Sequence, residues 1–311
     1  MRNRDQAPAG AGVRAALPPF AALLALSACV GADEPAPVVS EPVVQAIPPA
    51  PSPTPPPLPA PDFAYSGELT QGGWMRGTVP AGTVSARLDD QPLAFDPATR
   101  AFFAAFDRDS EATLTLSAML ENGRSYSEQV AVSPRAWDIE RVNVPLRSGG
   151  TSEEWWAKRE PEWNAIVEAR AQQTGAQGWQ QDFVWPVKGR ISGRFGRQRI
   201  YQGEPGSYHS GIDIAPGNGV PYVAPADGVV VLAREGFSLE GGLIIIDHGA
   251  GLNSAFLHSS KIVVREGDRV RQGQHIGNVG ATGRATGPHL HWSLKWNEAR
   301  LDPLLLTGPM D

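Results

Sequence analysis

Five side chains near the C-terminus set the strongest constraint on the fold: His209 and Asp213, a lone His258, and the pair His289 and His291. The chain has only six histidines, and four of them fall in these three short stretches. Imidazole nitrogens and a carboxylate oxygen are ligands that zinc favours, and a catalytic zinc commonly takes three protein ligands and keeps one position open. A fold that uses these groups together must bring segments near 210, 258 and 290 to one place. On a strand, His289 and His291 share one face. His209 and Asp213, four residues apart, would lie about 13 Å from each other along a straight strand, too far to share one ion. The chain must therefore bend between them, and Gly211 permits the bend. We place His209 at the end of a loop and Asp213 in a strand over 212–214. An unpaired carboxylate between Ile212 and Ile214 is costly there, and a metal would satisfy it.

At 311 residues the chain has room for two domains plus appendages. A net charge of −6 with no basic patch speaks against a nucleic-acid partner. Arg2, Arg4 and Arg14 precede an apolar run over 20–26, too short to span a bilayer and suited to a secretory signal over residues 1–28. The run ends in Leu26-Ser27-Ala28-Cys29, which resembles the lipobox of bacterial lipoproteins. That resemblance implies cleavage before Cys29, the only cysteine, and stable membrane attachment through several acyl chains on it. Val30 after the cysteine, where retention signals carry Asp, implies the periplasmic face of the outer membrane. Residues 29–61 are dominated by Pro, Ala, Val and Ser and cannot build a core. As a polyproline-like tether, at ~3.1 Å per residue, they would reach up to roughly 90 Å.

The remainder reads as mainly β. Over 62–146, Leu114, Leu116, Ala118 and Leu120 alternate with polar residues or Met119, Asn122-Gly123 marks a hairpin turn, and shorter runs near Trp74, Val84 and Ala101 complete an immunoglobulin-like β-sandwich. Residues 147–181 form a helical connector. Thr151 and Glu154 have capping-box spacing, Pro161 should kink or divide the helix, and Trp155, Trp156 and Trp163 are expected to pack against a neighbouring domain. Residues 182–311 are glycine-rich, with buried-strand runs at Val229–Leu232 and Leu243–Ile246 and short hairpins over 267–280. The polar stretch 198–208 is expected to wall a groove.

Four motifs in a fixed order make the last region specific: His209-Ser210-Gly211-Ile212-Asp213, Asp247-His248-Gly249, Phe256-Leu257-His258 and Gly287-Pro288-His289-Leu290-His291. In these, residues from about Phe183 to Leu306 resemble the lysostaphin/LytM-type zinc metallopeptidases of bacterial cell-wall hydrolases. The resemblance implies a β domain of antiparallel sheets around a zinc groove. It implies His209, Asp213 and His291 as ligands of one Zn2+ and His258 and His289 as the catalytic pair. Phe256 stands where many members have tyrosine and Ser259 where many have leucine, departures that would tune the groove. Chemically, such an ion polarises a carbonyl and acidifies water, one histidine takes the proton, and a second stabilises the oxyanion. His248 reads as structural and His275 as a surface residue. Arg194 and Arg199 are candidates to meet an acidic peptide stem.

The expected activity is cleavage of peptidoglycan peptide cross-links, at the bond from D-alanine to meso-diaminopimelate, with peptidoglycan stem peptides as partner. A LytM-fold regulator of wall amidases without catalysis and a wall-binding structural protein are the alternatives. The intact set of five side chains argues against the first.

Overall fold

The computed structural model describes residues 62–145 and 152–310. The signal segment, Cys29, the tether and Thr151 lie outside the described residues. The first part holds β1 (Ala64–Glu68), β2 (Trp74–Thr78), β3 (Thr83–Leu88), β4 (Gln91–Pro92), β5 (Ala101–Ala105), β6 (Thr113–Leu120), β7 (Ser125–Ala131) and β8 (Ile139–Val142). In β6 the alternation turns Leu116, Ala118 and Leu120 inward, while Thr113 and Met119 face water. Gly123, at φ +78°, closes the turn that brings β7 back antiparallel. Two antiparallel sheets result, β1-β2-β5 and β4-β3-β6-β7, and Met75, Phe102, Phe103, Leu116 and Val130 belong to a shared core.

Next come α1 (Glu153–Ala171), β9 (Arg190–Gly193), β10 (Gln198–Tyr201), β11 (Glu204–Pro205), β12 (Ile212–Ala215), β13 (Pro221–Val223), β14 (Gly228–Phe237), β15 (Gly241–Gly249), β16 (Leu252–Leu257), β17 (Lys261–Ile262), β18 (Arg269–Val270), β19 (His275–Asn278), β20 (Leu290–Trp296), β21 (Ala299–Leu301) and α2 (Pro303–Thr307). The central sheet runs β18-β14-β15-β16-β20-β12-β9, antiparallel throughout, with β21 added to β20.

The pleat decides what each face of this sheet carries. Ile212 and Ile214 of β12, Phe256 of β16, and Leu290, Trp292 and Leu294 of β20 point into the main core. Their alternates, Asp213, Leu257 and His291, therefore share the opposite face. They are also in register, Asp213 beside His291 and His291 beside Leu257. Along β15, Ile244 and Ile246 face the main core, whereas Leu243 and Ile245 join Ala255 in a second cluster closed by Ile166 and Ala169 of α1. Thus α1 covers part of the face that carries Asp213 and His291.

Several details of α1 differ from expectation. Its N-cap is Ser152, whose side chain accepts from Trp155 N, so the cap lies one residue after Thr151. The helix continues through Pro161 as one element. Its buried residues are Arg159, Ile166 and Ala169. Trp156 and Trp163 sit about 60° round the helix from Arg159 and Ile166 and are 53% and 52% exposed. The expected burial of the tryptophans is therefore corrected: Trp155 is only half-buried, edge-on to Trp156 at 4.7 Å. The stretch 198–208 is a hairpin, β10 with β11, and β10 pairs in parallel with β8. Residues 62–310 lie within one compact unit. Among the described residues, no helix is long and apolar enough to cross a membrane.

Candidate active site

His209 ends the segment after the β10–β11 hairpin, and its backbone N–H donates to the carbonyl of Arg197 at 2.8 Å. The chain then bends at Gly211 into β12. Gly211 is required there by space: a Cβ would lie 2.4 Å from the Trp292 carbonyl oxygen and 2.9 Å from His291 Nε2. The bend returns His209 Nε2 to 3.0 Å from Asp213 Oδ1. His291 Nδ1 lies 2.9 Å from the same oxygen and 3.1 Å from His209 Nε2.

These three atoms form a closed triangle with edges near 3 Å. Ligand atoms placed 2.0–2.1 Å from a tetrahedral ion lie roughly 3.3 Å from one another, so the donor set fits one small divalent cation. A further fit lies in the proton positions. His209 Nδ1 is 3.0 Å from the Arg194 carbonyl oxygen, which fixes the ring N–H there and leaves the Nε2 lone pair facing Asp213. These three residues are the metal-capable group among the described residues.

His258 and His289 stand beside the triangle. Their rings are 4.8 Å apart, and His258 is 6.4 Å from the His291 ring. His258 Nδ1 donates to the Thr282 carbonyl at 2.8 Å, and His289 Nδ1 to the Gly287 carbonyl at 2.8 Å. Both rings thus keep Nε2 as the available atom, and His289 Nε2 is 3.6 Å from Asp213 Oδ1. His258 follows the end of β16 with φ +66°, a left-handed backbone uncommon for any residue but glycine. Its backbone N–H bond to the Glu240 carbonyl, 2.8 Å, holds it there. Such strain is often found at functional positions.

The electrostatics centre on Asp213. Burial would raise its pKa, but the hydrogen bonds and charges of His209 and His291 outweigh burial and hold it well below the usual carboxylate range. Burial would likewise lower His209, yet the Asp213 hydrogen bond and charge raise it. His291 is lowered by burial, against the pull of Asp213. His258 is lowered by burial and by its histidine neighbours, against its bond to Thr282.

The remaining residues singled out in the sequence lie elsewhere. His248 is fully buried, with Nδ1 2.7 Å from the Asp227 carbonyl and Nε2 2.8 Å from Ser254 Oγ. His275 is exposed. Phe256 and Ser259 do not touch the groove. Phe256 alternates inward and stacks on Tyr222 in the core, and Ser259, beyond the end of β16, is buried with Oγ bonding Tyr222 Oη at 2.6 Å. Arg199 is engaged by Glu140 at 2.8 Å, and Arg194 contributes its carbonyl. Sequence reasoning missed the carbonyls of Arg194, Thr282 and Gly287 that orient three of the histidines, since a backbone carbonyl leaves no mark in the choice of residue.

Comparison with known proteins bears on this centre. Residues 207–303 match the profile of peptidase family M23. Peptidoglycan DD-endopeptidase ShyA of Vibrio cholerae is 42% identical over 113 residues, covering 35% of this chain and 26% of that protein. The lipoprotein NlpD/LppB homolog of Pseudomonas aeruginosa is 37% identical over 127 residues, covering 41% of this chain and 39% of that protein. The matches thus span well under half of either curated relative. A Pseudomonas aeruginosa crystal structure assigned to peptidase M23 superposes with a TM-score of 0.61 at 26% identity, covering 78% of this chain and 96% of that one. The β domain that gathers these histidines is accordingly a peptidase family M23 domain of the LytM type.

Proposed function

We propose that this protein is a zinc-dependent endopeptidase that hydrolyses the peptide cross-links of peptidoglycan, at the bond joining D-alanine to meso-diaminopimelate. His209, Asp213 and His291 hold one zinc ion, and His258 and His289 are the catalytic pair. The observation that carries this reading is the closed His209–Asp213–His291 triangle with two further imidazoles beside it, each presenting Nε2. Zinc, when bound, supplies Lewis-acid polarisation of the scissile carbonyl. One of His258 and His289 accepts the proton of the attacking water at Nε2, and the other, as an imidazolium that keeps its Nδ1–H on the carbonyl, donates from Nε2 to the developing oxyanion. The carbonyls of Thr282 and Gly287 keep both rings in the required orientation.

Similarity to proteins named as DD-endopeptidases supports the substrate class. A regulator that lacks catalysis would have no use for five such side chains in one cluster. In the full reading, Cys29 carries lipid at the periplasmic face of the outer membrane and residues 29–61 form the tether. Residues 62–146 form a β-sandwich, 147–181 a helical connector and 182–311 the peptidase, which meets peptidoglycan stem peptides. The test is digestion of purified sacculi by the zinc-loaded protein and by His209→Ala, with mass spectrometry of the released muropeptides. Cross-link cleavage by the parent alone is expected; equal product from both proteins overturns the reading.

A further inference from the structure

A cleft of about 840 Å3 lies between α1 and the sheet face that carries His291, and it reaches the histidine centre through His291 and Ser210. One wall is α1, with Trp163, Ile166 and Arg170. This helix lies outside residues 207–303, so the family match does not account for that wall.

The charges lining the cleft are unevenly satisfied. Each carboxylate is engaged: Glu240 takes both oxygens to Arg159 at 2.7 Å, Glu298 meets Lys295 at 2.9 Å, and Asp247 accepts from Thr174 Oγ1 at 2.6 Å and from Gly249 N at 2.9 Å. The two lining arginines are not. Arg300 reaches only the Tyr208 hydroxyl, at 3.4 Å. Arg170 makes no ion pair among the described residues, and its Nε is shut off from solvent without a hydrogen-bond partner. Burial, and then the nearby charge of Arg300, lower its pKa to about 10 against the opposing charges of Glu298 and Glu240. The residue as a whole is half-buried, so the rest of the guanidinium opens to the cleft beside a like charge, where an anion would complete it.

A peptide bearing a free carboxylate answers this charge. We propose that Arg170, backed by Arg300, receives a free carboxylate of the peptide being cut. The proposal rests on the hydrolase reading above and adds to it a substrate feature: the peptide must be acidic on the α1 side of the centre. Arginine suits the task because its planar fork takes a carboxylate in two parallel hydrogen bonds.

The test uses two synthetic peptides with a D-alanyl–meso-diaminopimelate bond, one with free carboxylates and one with those groups amidated. Binding to the full, zinc-loaded chain is measured by calorimetry in a His258→Ala background, where turnover is blocked. The free acid should bind about ten-fold tighter or more. Adding Arg170→Gln should remove that preference, and Arg170→Lys should keep part of it. Arg170→Gln should also melt no lower than its parent, since Arg170 makes no ion pair among the described residues; a structural role would lower the melting temperature. Equal binding of the two peptides, no binding of either, or a preference that survives Arg170→Gln overturns the proposal. Failure of the hydrolase reading would look different: an Arg170-dependent preference in binding, with no cleavage of either peptide by the wild-type chain.

Discussion

Gly193 shows how tightly the histidine centre is enclosed. A Cβ at this position would sit 2.3 Å from Asp213 Oδ2 and 3.1 Å from His209 Cε1. Gly193→Ala must therefore push the carboxylate out of the triangle. Overpacking of this kind costs about 1–3 kcal/mol, so the variant should fold with reduced stability yet hold well under one zinc per chain by elemental analysis. Full zinc occupancy would show that the carboxylate has room to move. At this scale the sequence was most legible where chemistry resides in the side chain: four histidines and one aspartate announce themselves. Gly193 was not legible, because its reason for being glycine is a neighbour twenty residues away. The left-handed backbone of His258 was hidden for a similar cause, since the bond that fixes it comes from Glu240.

Two elements flanking the centre make separate predictions. In β15, burial lowers the pKa of His248 from 6.5 to about 4, against its bond to the Asp227 carbonyl. The folded chain then binds fewer protons than the unfolded one between those values. The stabilisation is complete above about pH 6.5, falls as pH drops, and is gone below about pH 4. At ~1.36 kcal/mol per pKa unit it amounts to roughly 3 kcal/mol. Urea unfolding at several pH values should show a shallower decline for His248→Gln than for the parent; parallel declines would refute the assignment. In α1, Arg159 is buried between Glu240 and Glu162. Arg159→Met strands two carboxylates and should cost about 3–5 kcal/mol in chemical denaturation. The helix itself was legible from the capping-box spacing of Thr151 and Glu154. Its buried face was not, because tryptophan suggests burial on composition alone, whereas the face turned inward is led by an arginine with two glutamate partners.

Across the whole molecule, the N-terminal sheets and the peptidase sheet are joined by specific bonds. The β8–β10 pairing is one. Trp74 Nε1 donates to the Leu305 carbonyl at 2.8 Å, Arg135 pairs with buried Asp302 at 2.9 Å, and Asp302 N donates to the Gly72 carbonyl at 2.7 Å. The described residues should therefore unfold in one calorimetric transition, with equal calorimetric and van't Hoff enthalpies. Asp302 also caps α2 through Leu304 N at 3.1 Å. Asp302→Ala should lower that single transition by about 3 kcal/mol or more without splitting it; two resolved peaks would refute the coupling. None of this joining was legible, since partners such as Trp74 and Leu305 lie far apart and local periodicity says nothing of distant pairing.

The helix that walls the cleft has one further consequence. Because α1 comes from upstream of residues 207–303, a fragment trimmed to those residues would bare Leu243, Ile245 and Ala255 to water. The same cut would remove Arg170, so the shortened domain would turn sticky and lose the proposed carboxylate preference together.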